Sequence, residues 1–457
     1  MDKLQLLRDT FASGTTKSLQ WRKAQLQALR QLLLDNEQAI YDALKQDLNK
    51  CEFESYVSEY EYVLKDIKLF VKNLKRWSQP RHVGTPLLAQ PGSSRIIPEP
   101  YGVVLIMGAW NYPLQLVLSP MVAAIAAGNC VVLKPSELAG AASNLIAKLI
   151  PKYMDIEAIA VVEGGVAETT ELLKQRFDHI MYTGSETVGK IVMRAASEHL
   201  TPVTLELGGK SPCIVDDATN LRITADRIVW AKFLNAGQTC IAPDYILVTP
   251  KQRPALVEAL KASLIKQYGE EPLSSEDYGR IINERHFLRV SGYLNGQSNK
   301  LIYGGESDPA QRYIAPSLLL NPDLQSPVMT YEIFGPLLPI IEVASMASAI
   351  DFINQREKPL ALYLFSNNQN MVDRVTTQTS AGTLCINDAV IFMINHHLPF
   401  GGVGQSGMGS YHGKWGFDTF SHLKPVMHRS FLFDAPIRYA PFTAIKQRLL
   451  KLFSRFS

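Results

Sequence analysis

Hydrophobic residues recur at helical spacing through the first eighty residues. Leu26, Leu29 and Leu33 repeat every three or four positions among many charges, a pattern typical of amphipathic helices with one buried face. The turn-rich segment Gln79–Ser94 follows and indicates a connector. The first part of the chain is therefore predicted to be a helical layer that covers another element.

Beyond residue 100, short apolar runs alternate with helical segments, which predicts parallel α/β sheets with right-handed crossovers. A second alternation starts near Gly208, so two α/β domains are expected. In the first domain the predicted strands are Tyr101–Met107, Cys130–Leu133, Ile159–Glu163 and Asp178–Thr183, and the predicted helices are Leu114–Ala127, Ala139–Ile150, Thr169–Gln175 and one that starts near Glu186. In the second domain the predicted strands are Cys213–Val215, Tyr245–Val248, Leu337–Val343, Ala361–Phe365 and Gly382–Ile386, and the predicted helices are Arg222–Phe233, Pro254–Gln267, Glu284–Gln297 and Met346–Gln355.

The stretch Pro100–Leu133 contains no charged residue, and its second half is long enough for a membrane helix. Pro113, Pro120 and Gly128 interrupt it, however. Two buried strands around a buried helix fit this pattern better than a membrane span.

Composition and charge narrow the class of protein. Hydrophobic residues make up 46% of the chain, which suits a protein with a large core. A length of 457 residues suggests two large domains or about three smaller ones. The net charge is only +3, which argues against nucleic-acid binding through a basic field. The five cysteines include no C-x-x-C pair and no export signal precedes them, so we expect free thiols, no metal site and a cytoplasmic location.

Two loops after predicted strands suit a dinucleotide. Asp178–Thr183 leads into a loop with Gly184, Ser185, Val188 and Gly189, where a helix N-terminus can bind a pyrophosphate. This loop is not a G-x-G-x-x-G motif, and an ordinary capped turn is the alternative. After the strand Cys130–Leu133, Lys134 would favour a 2′-phosphate, and Glu137 would either grip a ribose diol or merely begin a helix.

Cys240 is the candidate nucleophile because it lies in a turn of small residues, Asn235–Cys240, that would expose its sulfur and nearby backbone donors. Packing is the alternative for a lone cysteine. Cys130, Cys213 and Cys385 lie in apolar runs and are expected in the core, whereas Cys51 lies between charged residues and is expected at the surface.

Glu206 and Asn111 are polar residues in apolar surroundings. Glu206 precedes a Gly-Gly turn, and burial there would raise its pKa and make it a usable general base. The alternative is a strand-end carboxylate paired with Lys210. Asn111 follows the first strand, where its amide could donate to an oxyanion or cap a helix.

At this point the chain resembles the aldehyde dehydrogenase superfamily, specifically its class 3 branch, over nearly its whole length. The motifs that carry the resemblance are Leu205-Glu206-Leu207-Gly208-Gly209-Lys210, Gly237-Gln238-Thr239-Cys240, Trp110-Asn111-Tyr112-Pro113, Lys134-Pro135-Ser136-Glu137, Glu332-Ile333-Phe334-Gly335-Pro336 and Pro399-Phe400-Gly401-Gly402. Class 3 is suggested by the short N-terminus and by Ser406–Gly409 followed by Tyr411–Lys414.

The resemblance implies a role for each matching position. Cys240 would form a thiohemiacetal and then a thioester with an aldehyde, water activated by Glu206 would release the carboxylic acid, and Asn111 with the Cys240 N–H would hold the oxyanion. The cofactor, NAD or NADP, would contact Trp110, Lys134, Glu137, Gly184, Ser185, Val188, Gly189, Glu332 and Phe334. Two alternatives remain: acyl transfer to coenzyme A, which Glu206 argues against, and a non-catalytic structural or binding use of the fold.

The family resemblance also implies the architecture, an α/β fold with a Rossmann-like parallel-sheet cofactor domain, a second α/β catalytic domain and a small bridging arm. Residues 1–80 and 101–207 would form the cofactor domain and residues 208–415 the catalytic domain. Residues 81–100 and 416–435 would form an arm that joins two subunits in a homodimer.

The expected substrate is a medium- or long-chain aliphatic or aromatic aldehyde, because the candidate funnel is mostly apolar. Ile391–Ile394 could instead be a core strand. The expected pocket residues are Tyr112, Leu116, Ile241, Ile391, Ile394 and Phe400, and further candidates are Phe392, Met393, His396 and His397.

Residues 436–457 contain five basic residues and no acidic one, and Ile445, Leu449, Leu452, Phe453 and Phe456 share a helical face. A basic amphipathic helix can lie on an anionic membrane surface. The alternative, which the sequence favours slightly, is that this face packs on the protein itself or on another subunit.

Overall fold

The helical layer forms as predicted, in a computed structural model that describes residues 2–453. Its helices bury apolar faces, and Leu26 and Leu29 are fully inaccessible. One turn, Tyr56–Tyr60, is π-helical. The five α-helices of this layer are α1 (Asp2–Ala12), α2 (Leu19–Asp35), α3 (Glu37–Leu48), α4 (Glu52–Ser55) and α5 (Glu61–Trp77).

The first alternating region follows the predicted order of strands and helices. Its strands are β1 (Arg81–Val83), β2 (Gly92–Pro100), β3 (Val103–Met107), β4 (Cys130–Lys134), β5 (Ile159–Val161), β6 (His179–Thr183) and β7 (Val203–Glu206). Its helices are α6 (Gln115–Ala127), α7 (Gly140–Tyr153), α8 (Val166–Leu173) and α9 (Glu186–Ser197).

The second region also alternates, with more strands than predicted. Its strands are β8 (Pro212–Val215), β9 (Tyr245–Val248), β10 (Leu301–Tyr303), β11 (Ser307–Asp308), β12 (Tyr313–Ile314), β13 (Ser317–Leu320), β14 (Leu337–Glu342), β15 (Ala361–Phe365) and β16 (Thr383–Ile386). Its helices are α10 (Leu221–Phe233), α11 (Arg253–Tyr268), α12 (Glu284–Gly292), α13 (Pro327–Thr330), α14 (Met346–Asn354) and α15 (Gln369–Gln378). The remaining elements are β17 (Gly407–Met408), α16 (Gly413–Thr419), β18 (Ser421–Arg429) and α17 (Ala444–Phe453).

The first sheet has the strand order β17-β7-β6-β3-β4-β5. Strands β7 to β5 in this order are parallel, whereas β17 is antiparallel to β7. The order reverses at β3, because β4 and β5 lie on one side of it and β6 and β7 on the other. In open α/β sheets, ligands bind at the carboxyl ends of the strands at such a reversal.

The second sheet has seven strands in the order β10-β13-β14-β9-β8-β15-β16, all parallel except β10. Six short strands of the two regions were not predicted: β7, β10, β11, β12, β13 and β17. They are only two to four residues long, and all of them except β12 include a residue that is not buried.

Helix α6 explains the uncharged stretch. This helix follows β3 and precedes β4 in the chain, and all thirteen of its residues are buried. The apolar run therefore belongs to the protein core. Within residues 2–453, no helix is both long and apolar enough to cross a bilayer.

A separate three-stranded antiparallel sheet is built from β1, β2 and β18. β2 and β18 pair continuously from Gly92 opposite Arg429 to Pro100 opposite Ser421. Most side chains of β1 and β18 are exposed in the single chain.

Candidate active site

Cys240 lies in the loop between α10 and β9, beyond a tight change of chain direction. Asn235, Ala236 and Gly237 all have left-handed backbones, with φ of 52°, 50° and 75°. A Cβ atom at Gly237 would lie 2.3 Å from the carbonyl oxygen of Gly335, so only glycine fits there. This turn places Cys240 half-buried at the wall of a cavity.

The other cysteines differ from the prediction in two places. Cys130 and Cys213 are buried in strands as expected. Cys51 is half-buried rather than at the surface, because its Sγ accepts a hydrogen bond from the Glu54 N–H at the start of α4. Cys385 is only half-buried, because β16 is an edge strand.

Asn111 is 2% exposed and holds its amide against the cysteine loop. Its Nδ2 donates to the carbonyl oxygen of Gln238 at 3.0 Å. The helix-cap alternative is wrong, since Leu114 is the N-cap position of α6 and the Asn111 amide donates to Gln238 instead. An amide nitrogen carries two hydrogens, so one N–H of Asn111 can serve another acceptor.

Glu206 ends β7 and is 2% exposed. Neither carboxylate oxygen has a hydrogen-bond partner within the described chain. Pairing with Lys210 is wrong, because Lys210 forms an ion pair with Asp244 and donates to the carbonyl oxygens of Val328 and Tyr331. Burial raises the pKa of Glu206 well above its ordinary value.

These three residues meet at one cavity of about 240 Å³. The predicted cofactor contacts Trp110, Glu332 and Phe334 line it too. The full lining is Ala109, Trp110, Asn111, Thr183, Gly184, Ser185, Glu206, Leu207, Gly208, Cys240, His286, Arg289, Glu332 and Phe334. A nucleophile, a carboxylate and an amide donor therefore face the same space.

The cavity is unfavourable to negative charge. Burial raises the pKa of the Cys240 thiol, and the nearby carboxylates of Glu332 and Glu206 raise it further. Burial also raises the pKa of Glu332 to about 8, with a contribution from Asp244. In this state the thiol holds its proton at neutral pH, so a base or a positive charge has to help ionise it.

A second cavity of about 730 Å³ adjoins the first at the carboxyl ends of β3, β4 and β6. It shares Trp110, Gly184 and Ser185 with the first cavity. Predicted cofactor residues that line it are Trp110, Lys134, Glu137, Gly184, Ser185 and Val188.

This larger cavity fits a dinucleotide. Ser185 caps α9 by accepting from the Val188 N–H at 3.4 Å, and the first turn of α9 offers further N–H groups to an anion. Gly189 does not line the cavity; a Cβ there would lie 2.8 Å from a methyl of Leu207, so glycine lets α9 approach β7 closely.

Lys134 and Glu137, which the family resemblance assigns to the adenosine ribose, both line this cavity. Lys134 is 3% exposed, and its Nζ donates to the Pro135 carbonyl oxygen at 2.9 Å. The same Nζ lies 3.4 Å from a carboxylate oxygen of Glu137, whose side chain is 43% exposed. The pair therefore offers both a cation and an accessible hydrogen-bond acceptor.

None of the six predicted substrate residues lines the cavity at Cys240. Tyr112, Leu116, Ile241 and Phe400 are buried. The core-strand alternative for Ile391–Ile394 is wrong, because this segment is a 3₁₀ turn without buried residues.

The sequence did not single out His286 and Arg289, which lie one turn apart on α12 and line both cavities. The His286 ring lies 4.9 Å from that of Trp110, and burial lowers the pKa of His286 to about 4. Arg289 donates to the carbonyl oxygens of Ile333 and Phe334 at 2.8 and 3.3 Å. Their only sequence signal was an i, i+3 spacing on a predicted helix.

Two sheets of mostly parallel strands, with a crevice at the carboxyl ends of β3, β4 and β6 that adjoins the cavity of a loop cysteine, are the arrangement expected of a nicotinamide-dependent dehydrogenase. The model of the aldehyde dehydrogenase family matches residues 8–426, and the chain belongs to this family. It oxidises aldehydes to carboxylic acids with NAD(P)⁺, as the motifs predicted.

Individual relatives agree with the class 3 resemblance. The chain is 52% identical to an "Aldehyde dehydrogenase, dimeric NADP-preferring" of Rattus norvegicus over 96% of this chain and 97% of the relative. It is 49% identical to "Aldehyde dehydrogenase family 3 member B1" of Homo sapiens, covering 98% and 96%. The solved structure of Staphylococcus aureus AldH in a substrate-bound state superposes with a TM-score of 0.97, at 45% identity and 99% coverage of both chains.

Proposed function

We propose that Cys240 is the nucleophile of this aldehyde dehydrogenase, Glu206 its general base and Asn111 its oxyanion donor. The main support is that all three residues line one cavity, and that the Glu206 carboxylate has no hydrogen-bond partner among the described residues. A buried carboxylate with a raised pKa can accept a proton near neutral pH.

Each step uses a group that lines this cavity. Glu206 accepts the thiol proton, and Sγ of Cys240 bonds to the aldehyde carbon while the carbonyl electrons move onto oxygen. The free N–H of Asn111 and the backbone N–H of Cys240 hold that oxyanion. When bound in the adjoining cavity, NAD(P)⁺ supplies the hydride acceptor. Glu206 passes that proton to solvent and then takes one from the water that adds to the resulting thioester, and the acid leaves as Sγ is restored.

Two variants test these roles. Cys240→Ala should abolish NADH formation from hexanal while cofactor binding survives, and Cys385→Ala, a half-buried cysteine of an edge strand, is the matched control. Glu206→Gln should slow deacylation most, so a burst of NADH should precede slow turnover. Wild-type steady-state turnover in Glu206→Gln would show that Glu206 is not the base.

The proposed cofactor use is dual, with both NAD and NADP accepted. Lys134 supplies a cation for a 2′-phosphate, and Glu137 supplies an acceptor for a ribose diol. The rat relative is named NADP-preferring. Kinetics with each cofactor would test this proposal, and activity with only one of them would contradict it.

The proposed substrates are medium- or long-chain aliphatic or aromatic aldehydes. The exposed Ile391 and Ile394 are apolar, as are the buried residues Leu116, Ile241 and Phe400. A screen of aldehydes of graded chain length should show kcat/KM rising with length. A maximum at the shortest aldehydes would contradict this proposal.

The proposed assembly is a homodimer joined through the arm segments 81–100 and 416–435, with residues 1–80 and 101–207 as the cofactor domain and 208–415 as the catalytic domain. The rat relative is named dimeric. The sheet of β1, β2 and β18 lies in these arm segments, and most side chains of β18 are exposed in the single chain. A partner subunit could cover them. A monomer mass by light scattering at micromolar concentration would contradict the dimer.

We also propose a cytoplasmic location with peripheral membrane contact through the tail, which comprises residues 436–457. Ile445, Leu449 and Leu452 of the predicted face are between 43% and 71% exposed in the single chain, which supports a surface role for this face. Lys446 and Arg448 supply positive charge beside it. Phe456 of the predicted face and Arg455, which lies off that face, are outside the described residues.

Liposome co-sedimentation tests the tail. Full-length protein should sediment with anionic vesicles at low salt and less at high salt, whereas a version that ends at Ala435 should not. Equal sedimentation of both versions, together with loss of dimer in the shorter one, would instead assign the face to the partner subunit.

A further inference from the structure

A fully buried ion pair lies behind the candidate oxyanion donor. Lys50 Nζ is 2.6 Å from a carboxylate oxygen of Glu59, and both side chains are completely inaccessible. Removing two charges from water is costly, and such a pair is weak support for stability by itself. Its contacts therefore indicate what else it does.

Lys50 contacts the main chain of Asn111 directly. Its Nζ donates to the Asn111 carbonyl oxygen at 2.9 Å, and Nδ2 of Asn235 donates to the same oxygen at 2.8 Å. The ammonium also lies 4.0 Å from the centre of the Tyr112 ring. The backbone at Asn111 is thus held by two donors from outside its own segment.

Glu59 holds the other end of the same segment. Its second oxygen accepts from the backbone N–H groups of Leu114 and Gln115, at 2.8 and 3.3 Å. It thereby takes the place of the side-chain cap that α6 lacks. Glu59 lies in the π-helical turn Tyr56–Tyr60, and such turns occur frequently at functional sites.

The amide of Asn111 is consequently fixed from both sides. Lys50 and Asn235 hold its backbone, and Gln238 accepts one of its two side-chain N–H bonds at 3.0 Å. This leaves the second N–H with a defined direction. A displacement of such a donor by about 1 Å can cost a hundredfold in rate.

We propose that Lys50 and Glu59 are positioning residues that orient the Asn111 amide toward the oxyanion on Cys240. This inference rests on the role proposed above for Asn111. Neither charged group touches the reacting atoms; both act through the segment that links Asn111 to α6.

The test is a mutant cycle read out by the rate of the NADH burst with saturating hexanal. Asn111→Ala should slow the burst roughly 10²- to 10³-fold. The double variant Lys50→Met/Glu59→Gln, which removes both charges and leaves none unpaired, should slow it roughly ten- to a hundredfold. Combined with Asn111→Ala, the double variant should cause no further loss, since all three residues act as one unit. The dissociation constant of the cofactor should stay unchanged throughout.

Leu256→Ala is the control for general destabilisation, because Leu256 is fully buried on α11 away from the cavity. It should lower the melting temperature and leave the burst rate unchanged. If Lys50→Met/Glu59→Gln does not fold, the charge-free pair Lys50→Gln/Glu59→Gln, which keeps amide donors and acceptors at both positions, enters the same cycle. Its loss should be smaller and should also vanish beside Asn111→Ala.

Two results would overturn the inference. One is a wild-type burst rate in Lys50→Met/Glu59→Gln. The other is a burst rate in the variant that combines it with Asn111→Ala that falls by the product of the two separate losses. A wild-type burst rate in Asn111→Ala would instead refute the role of Asn111 and this inference with it.

Discussion

Thr183 and Glu206 lie opposite one another at the carboxyl ends of the parallel strands β6 and β7, and both line the cavity of Cys240. Within residues 2–453, neither the Thr183 hydroxyl nor the Glu206 carboxylate has a hydrogen-bond partner. An unsatisfied buried polar group costs about 1–3 kcal/mol. The fold thus keeps polar groups available for a reactant at a cost in stability.

The raised pKa of the Glu206 carboxylate predicts that Glu206→Gln is more stable than the wild type at neutral pH. Because the folded-state pKa is raised, the stability contribution of Glu206 is complete below the ordinary value of 4.5 and is lost as pH rises toward the folded-state pKa. The variant escapes this loss. Its melting temperature should exceed that of the wild type by a margin that grows as the pH rises above 4.5. Parallel pH curves for the two proteins would contradict the assignment.

Glu137→Gln should shift cofactor preference toward NADP. The variant removes a negative charge near the expected 2′ position, where Lys134 remains. Because the Glu137 side chain is 43% exposed, we expect a shift of only about three- to tenfold in relative kcat/KM. Glu157→Gln removes an exposed charge elsewhere and should change nothing. An unchanged preference in Glu137→Gln would remove this residue from the site.

Gly208→Ala should displace Glu332 from the cavity. A Cβ atom at position 208 would lie 2.1 Å from a carboxylate oxygen of Glu332. We expect a loss of about tenfold or more in kcat, since a small misplacement near the reacting atoms is costly. Gly292→Ala is the matched control, because nothing lies within 4 Å of the added carbon. Equal activity of both variants would show that the position of Glu332 is not critical.

Arg289→Leu should weaken cofactor binding by about tenfold. The guanidinium lines both cavities and donates to the carbonyl oxygens of Ile333 and Phe334. Its loss would leave the position of Phe334 in the cavity lining less well fixed. Fluorescence titration with NADH would measure the dissociation constant. Arg222→Leu, at an exposed position of α10, should bind as the wild type does; a matching affinity for Arg289→Leu would exclude Arg289 from the site.

The sequence by itself determined the longer strands and the helices between them in both α/β regions, but not short strands such as β7, β10 and β13. Strands such as β3 and β4 are uninterrupted apolar runs, buried on both faces, so their identity does not depend on distant residues. Local sequence also placed Cys240 in its turn, because three successive left-handed residues need a small-residue loop of this kind.

Only the tertiary structure decided which polar groups find partners. Lys210 follows Glu206 by four residues, yet it pairs with Asp244, which β9 brings close after the chain has crossed to the second sheet. Glu206 is left free for this reason. Likewise Lys50 and Glu59 look like ordinary charges of a helical region, and their burial against Asn111 follows only from how that region covers α6.

The assembly of the site as a whole was likewise decided only by the tertiary structure. Its residues come from the carboxyl ends of β3, β6 and β7, the loop before β9 and the helix α12, which lie far apart in sequence. Periodicity identifies a strand because burial repeats every second residue, but it carries no information on which strand ends adjoin. Strand order and the contact between the two domains bring His286 and Arg289 to Trp110, since side-chain proximity between distant segments is set by packing and not by local preference.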